Sequence, residues 1–175
     1  MSAPLGPKIG HFYFISPRLA GICPYAGLMD LSKGEMKDRP CLCVAKNPGP
    51  GVFWMVPLSS KIEKYMKIYK SKLEKRGVCD TIVFGYVLGC KKAFLIQNIF
   101  PVTVEFVKYP YLSVSGNPIL CGQADLQRVL TRANKILSLE SHGFHIVFTD
   151  IEGMLETLCG EKFRSSRIEA AEHSI

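Results

Sequence analysis

The sequence predicts an α+β fold: a small, strongly curved antiparallel sheet or partial barrel, with helices inserted between its hairpins. Three observations carry that expectation. Short apolar runs punctuated by Pro, Gly and Asn recur along much of the chain. Two longer stretches, 61–76 and 123–140, space their apolar residues at steps of three and four. Apolar residues make up 47 % of the 175 residues, which is enough for a real core and excludes a chain disordered throughout.

Residues 1–10 are rich in Pro and Gly and read as a flexible N-terminus, with a single domain expected over 11–160 and a charged tail over 161–175. His11 to Ile15 is a short aromatic strand stopped by Ser16-Pro17. Arg18 to Asp38, punctuated by Gly21, Pro24, Gly27 and Gly34, reads as a long loop with room for one helical turn. Arg39-Pro40 opens a strand through Cys41 to Ala45. Asn47-Pro48-Gly49-Pro50-Gly51 is a turn, and Val52 to Val56 returns as the second arm of a hairpin, with a break at Pro57. Over 61–76 a helix places Ile62, Tyr65, Met66, Tyr69 and Leu73 on one stripe and its lysines on the other face, with Gly77 as the stop.

Cys79 to Gly89, Phe94 to Ile96 and Phe100 to Val107 read as three further strands, with Pro101 placing the last at a sheet edge or bulge. A loop follows around Tyr109-Pro110-Tyr111 and Asn117-Pro118. A second helix, from Pro118 or Gln123 to Glu140, carries Leu126, Val129, Leu130, Ala133, Ile136 and Leu137 inward and Arg128, Arg132 and Lys135 outward. Phe144 to Phe148 is a short strand or an extended link. Thr149-Asp150 caps a third helix bearing Ile151, Met154, Leu155 and Leu158.

Charge points to the partner. Net charge is +7, from 22 Lys+Arg against 15 Asp+Glu, which favours a nucleic acid or an acidic membrane surface. No run reaches the roughly 18 apolar residues of a membrane span, and the first residues lack the apolar core of a signal peptide, so the chain reads as cytoplasmic. The seven cysteines include no C-x-x-C pair and no histidines at zinc-finger distance; they read as reduced packing residues, with no metal and no cofactor expected.

The sharpest local feature is Ser59-Ser60 between an apolar strand and the helix at 61–76. That helix carries seven cations against Glu63 and Glu74. Unpaired N–H groups at a helix start carry partial positive charge and suit an anion. Ser60-x-x-Glu63 also has the spacing of a capping box, worth about 1 kcal/mol. Lys61 and Lys64, however, lie in the first turn, where the helix dipole opposes each by about 0.3–1 kcal/mol. A bound anion, read here as an RNA phosphate, would remove that conflict. His142 and His145 flank a turn and are candidate acids or bases, or plain surface histidines.

Phe12-Tyr13-Phe14-Ile15-Ser16, then Arg39-Pro40 opening an apolar strand, then Val56-Pro57-Leu58-Ser59-Ser60-Lys61 resembles in order and spacing the toxins of type III toxin–antitoxin systems. These are the ToxN/AbiQ endoribonucleases, with the CptN branch as the nearest likeness. Ile96 to Val102 and the helix holding Arg132-Ala133-Asn134 extend the resemblance to about residues 11–140. It implies a barrel-like fold related to the Kid/MazF toxins and metal-independent RNA cleavage to a 2′,3′-cyclic phosphate and a 5′-hydroxyl. It also implies a repeat-encoded pseudoknot RNA as antitoxin, cellular RNA as substrate, and a closed ring of alternating protein and RNA. Carried over residue by residue, it places the family's basic side chain at Arg39 and its Ser/Thr-Ser pair at Ser59 and Ser60, as catalytic candidates. The family usually follows its serine with Pro-Lys, so either Lys61 or Lys64 fills the lysine role. The family's loop tyrosine has no counterpart near Glu35, Met36 and Lys37.

Cleavage requires the ribose 2′-oxygen to attack its own phosphate in line, while the protein neutralises the more highly charged phosphorus centre. A guanidinium such as that of Arg39 binds phosphate in two places but stays protonated and cannot serve as base. The proton carriers are His145, a tyrosine or groups on the substrate. Lys67, Lys70, Lys75, Arg128 and Arg132 are expected to bind RNA with marked salt dependence, and Tyr109 and Tyr111 to stack unpaired bases. The alternatives are a non-catalytic module for structured RNA, and a peptide-binding barrel whose basic face is incidental.

Overall fold

The computed structural model describes residues 6–29, 39–47 and 51–160. Among them seven strands form one antiparallel sheet: β1 (Phe12–Ile15), β2 (Cys41–Lys46), β3 (Val52–Ser59), β4 (Ile82–Val87), β5 (Cys90–Leu95), β6 (Phe100–Thr103) and β7 (Val107–Pro110). Four α-helices are interspersed: α1 (Arg18–Ile22), α2 (Ile62–Arg76), α3 (Gln123–Ser141) and α4 (Ile151–Cys159). The strands run in the order β4-β5-β3-β2-β1-β7, with β6 against β3 alone. The result is the curved, unclosed antiparallel sheet with inserted helices that the sequence led us to expect.

Strand β3 is the spine. All eight of its residues are buried, because both faces of the sheet are covered. On one face Leu42, Val44, Val52, Trp54, Val56 and Leu58 pack against Val129, Ala133 and Ile136 of α3. On the other, Cys41, Cys43, Phe53 and Met55 meet Phe100 and Val102, with Leu19 of α1 and Met154 of α4. Cys41 and Cys43 thus share one side of β2, as their period-two spacing requires.

Pro57 does not break β3. The strand pairs Pro57 with Cys41 and continues to Ser59, where Ser59 faces Ala93 of β5. The Leu58 N–H bonds back to Pro40 C=O, so the nitrogen of Pro57 points to the opposite side. There β6 has ended at Met55 and β5 begins only at Leu58. The missing N–H falls in the gap between two neighbours, the position in a central strand where proline removes no ladder bond.

Other boundaries also differ from the sequence reading. Residues 79–96 form a hairpin: β4 and β5 are joined by Leu88-Gly89, both at positive φ (51° and 73°), as a two-residue hairpin turn requires. The run from Phe100 to Val107 is divided by a 3₁₀ turn over Val104–Phe106 that re-aims the chain from β6 into β7, at the sheet's far edge. Phe144 to Phe148 is an irregular link, bent at Val147 and Phe148, and forms no strand. The turn at Asn47–Gly51 has its centre, 48–50, outside the described residues, as are 1–5 and the tail 161–175. Residues 6–10 lie along the sheet, with the Gly10 N–H donating to Cys43 C=O at 2.9 Å and the Lys8 N–H to the Tyr13 hydroxyl at 2.8 Å.

Two attachments set the frame around the end of β3. Helix α2 covers the back of the β4–β5 hairpin, with Tyr65 buried and Ile62, Ile68, Tyr69 and Leu73 packed on Ile82, Ala93 and Leu95. The start of α3 is latched to β4: Asp125 accepts the Tyr86 N–H at 2.9 Å and pairs with Arg128, whose guanidinium donates to Phe84 C=O at 2.7 Å. Gly85 permits this approach, since a Cβ there would lie 2.5 Å from the Asp125 carboxylate.

Candidate active site

The site lies where β3 hands the chain to α2. The two serines have opposite environments, because Ser59 ends a strand that is covered on both faces and Ser60 stands one residue beyond that cover. Ser59 is only 3 % exposed, and its Oγ accepts the Lys61 N–H at 3.2 Å. Ser60 is exposed, and its Oγ accepts a hydrogen bond from Lys92 Nζ at 3.3 Å. The capping box expected at Ser60-x-x-Glu63 does not form. The carbonyl that receives the first helical bond belongs to Lys61, which takes the Tyr65 N–H at 3.2 Å. That places the N-cap one residue later than the motif needs, with no side-chain cap bond. Ser59 ties the turn and Ser60 is left facing outward. Glu63 and Lys64 lie in the first turn, where helix geometry supplies no i−4 carbonyl for their N–H groups.

Arg39 comes to the same place from the other side. Its side chain is buried, and Nη1 donates to Leu58 C=O at 2.6 Å, one residue before Ser59. The β2–β3 register makes this contact, since Pro40 C=O takes the Leu58 N–H at 3.2 Å. Lys61 is exposed at the turn, and Lys64 Nζ sits 5.4 Å from the centre of the Tyr65 ring. The structure therefore gathers Arg39, Ser59, Ser60, Lys61 and Lys64 at one strand end. It adds Lys92, which the sequence reading passed over. The signal available was the Lys91-Lys92 pair just after a Leu-Gly turn, invisible once 79–89 is read as one strand. Glu35, Met36 and Lys37 lie outside the described residues.

The outlying candidates divide. Lys67, Lys70 and Lys75 are exposed on α2, and Lys67 and Lys75 border a shallow groove of about 460 Å³ along that helix. Lys72, read as part of that solvent face, turns inward instead. Its ammonium donates to Thr81 Oγ1 at 2.7 Å and to Gln97 Oε1 at 2.9 Å, and burial lowers its pKa. Arg128 is paired with Asp125, and Arg132 and Lys135 with Asp80, so these α3 cations hold the helix to the hairpin. Tyr109 and Tyr111 flank Phe14 at the β1–β7 edge, with ring centres 5.0 and 5.3 Å from it. His145 lines a cavity of about 370 Å³ with Trp54, Leu137, Glu140 and Asp150, lined by none of the serine-junction residues. His142 sits at the end of α3, its ring nitrogen 2.7 Å from Ser138 C=O. Among the described residues no three His, Cys, Asp or Glu side chains converge as a metal ion would need.

No family model and no curated protein sequence matches the chain. Solved structures do. AbiQ, a lactococcal anti-phage endoribonuclease of the type III toxin–antitoxin system, superposes with a TM-score of 0.64 at 11 % identity, over 86 % of this chain and 96 % of AbiQ. A second match, at TM-score 0.60 and 18 % identity, covers 89 % of this chain and 98 % of the other. It comes from a bacterial type III system in which a non-coding RNA pseudoknot selectively inhibits the toxin. The chain has the fold of the type III toxins. At such low identity the shared feature is the backbone course, nearly end to end on both partners. Among the described residues, no helix of this type III toxin fold is long and apolar enough to cross a membrane.

Proposed function

We propose that the protein is the endoribonuclease toxin of a type III toxin–antitoxin system, acting on cellular RNA in the cytoplasm and restrained by a pseudoknot RNA. One observation carries the reading: at the end of β3 an exposed serine hydroxyl holds a lysine ammonium just before a helix start, two residues beyond the carbonyl that a buried arginine grips, in a fold shared with an endoribonuclease.

In this reaction the O2′–P bond forms and the P–O5′ bond breaks, leaving a 2′,3′-cyclic phosphate and a 5′-hydroxyl. One proton leaves O2′ and one arrives at O5′, so the step balances without a co-reactant. Ser60 and the first-turn N–H groups of α2 contact non-bridging oxygens. Lys61 and Lys64 add positive charge where negative charge builds up. Arg39, anchored on Leu58 C=O, brings its guanidinium charge to the same phosphate. Ser59 is a positioning residue that holds the turn. The exposed lysines of α2 extend the cationic track to the antitoxin, which the toxin cuts from a repeat transcript and then binds in a closed protein–RNA ring.

The test is incubation of purified protein with defined RNA, without added metal, followed by mapping of cut positions and end groups. The expected result is discrete cuts bearing cyclic phosphate and 5′-hydroxyl ends. RNA recovered bound but intact would replace this reading with that of a non-catalytic module for structured RNA. Short tandem repeats in the DNA upstream of the gene would support the toxin reading.

A further inference from the structure

We propose that Lys92 is a catalytic residue of this site, contacting a non-bridging oxygen of the scissile phosphate together with Ser60; the assignment rests on the endoribonuclease reading above. The sheet register puts it there. Leu58 faces Phe94 and Ser59 faces Ala93, so the next step outward sets Ser60 opposite Lys92. Opposed positions on antiparallel strands carry their Cβ atoms about 4.5–5.5 Å apart on one face. Lys92 Nζ duly reaches Ser60 Oγ, at 3.3 Å.

Two features separate Lys92 from a routine surface lysine. Its side chain is half-buried, yet among the described residues no carboxylate pairs with it, whereas Arg128, Arg132 and Lys135 each have one. An ammonium also carries three donors, and Ser60 occupies one of them. Because Lys92 donates to the Ser60 oxygen, the serine's own proton must point elsewhere, which leaves it to donate to an incoming phosphate oxygen. Lys92 and Ser60 thus form a joined pair of donors. Arg39, two residues before β2, stands on the β2 side of β3 and Lys92 on the β5 side, so the phosphate is held between cations from either side of β3. As the O2′–P bond forms, the extra charge on the non-bridging oxygens meets donors already in place.

The test is single-turnover cleavage of a defined RNA with one mapped cut site, by the wild-type protein, Lys92→Met, Lys92→Arg and Ser60→Ala. Substrates with either phosphorothioate diastereomer at the cut site are included, with RNA Kd and thermal melting for each variant. Lys92→Met is expected to slow cleavage about 10²–10³-fold. Its Kd should weaken no more than a few-fold and its melting temperature should not move, and Lys92→Arg should recover part of the rate. The rate penalty for sulfur in one diastereomer should shrink in Lys92→Met, a change that a merely structural lysine would not produce. Cleavage at the wild-type rate by Lys92→Met, or a loss that only follows Kd or melting, would overturn the assignment while leaving the endoribonuclease reading intact. Wild-type protein that leaves every RNA uncut would remove that reading itself, and the role of Lys92 with it.

Discussion

Replacing Ser59 or Ser60 by alanine should give opposite results, although the two residues are neighbours and chemically identical. Ser59 is 3 % exposed and its hydroxyl accepts the Lys61 N–H at 3.2 Å, which ties the strand end to the start of α2. Ser59→Ala removes that acceptor and leaves a backbone N–H unmatched at the turn, a loss of about 1 kcal/mol by analogy with cap substitutions. For a domain of this size that is a melting-temperature drop of about 2–4 °C. With total stability on the order of 5–15 kcal/mol, the protein stays folded at 25 °C, and cleavage should fall only slightly. Ser60 is exposed and contributes no bond to the turn through its side chain, so Ser60→Ala should change stability by less than about 0.5 kcal/mol. Cleavage should nevertheless fall by about 10²–10³-fold, the usual loss when one donor to a developing anion is removed. Thermal melts and single-turnover cleavage on the same preparations separate the two effects. If Ser59→Ala lost as much cleavage as Ser60→Ala while fully folded, the phosphate would be held by the buried serine and the site drawn here would be wrong.

Replacing Lys67, Lys70 and Lys75 together by Gln should lower the slope of log Kd against log salt for RNA binding by about 2–3, at roughly 0.7–0.9 for each phosphate no longer neutralised, without moving the cut position; an unchanged slope would show that α2 does not follow the backbone. Stability should fall above pH 9, because burial pushes the Cys43 thiol up to about 12 and the Cys121 thiol up to about 11, and raises Cys41 further still. Unfolded thiols release their protons near 9 while these retain theirs, so each raised thiol costs about 1.4 kcal/mol per pH unit between 9 and its folded value. Lys72, lowered by burial, works in the opposite sense over its own window below 10.5. Melting temperatures from pH 8 to 10.5 should therefore decline, less steeply in Cys121→Ala; a flat profile in the wild-type protein would contradict the burial of these thiols.

Much of this molecule is set by local chemistry that a sequence exposes. Short continuous apolar runs bounded by Pro, Gly and Asn marked β1, β2 and β3, and steps of three and four marked α2 and α3. The helix stop at Gly77 is realised as a left-handed C-cap whose N–H returns to Leu73 C=O. Lys61 and Lys64, at the N-cap and in the first turn of α2, oppose its dipole and mark Ser59-Ser60 by spacing alone. Strand ends near Pro57, Leu88-Gly89 and Val104 were less legible. Each depends on which neighbour is present, and proline or a positive φ is tolerated only where that neighbour leaves room.

Tertiary structure decided which side chains share the site. Ser59 and Ser60 cannot be told apart by composition; β3, buried on both faces, ends at Ser59 and makes it a structural tie, while Ser60, one residue beyond, is left open. Arg128 and Arg132 look alike on a helical wheel; Arg128 meets Asp125 one turn back on the same helix, whereas the docking of α3 beside the β4–β5 hairpin is what brings Asp80 to Arg132. Lys92 stands 32 residues beyond Ser60 and becomes its partner only because β5 pairs with the last two residues of β3. The sequence by itself determined the parts and the presence of an anion-seeking junction, since propensity, periodicity and turn chemistry act over a few residues. Strand pairing across long stretches of chain, fixed by burial on both faces of β3, determined which cations meet at that junction and which are neutralised elsewhere.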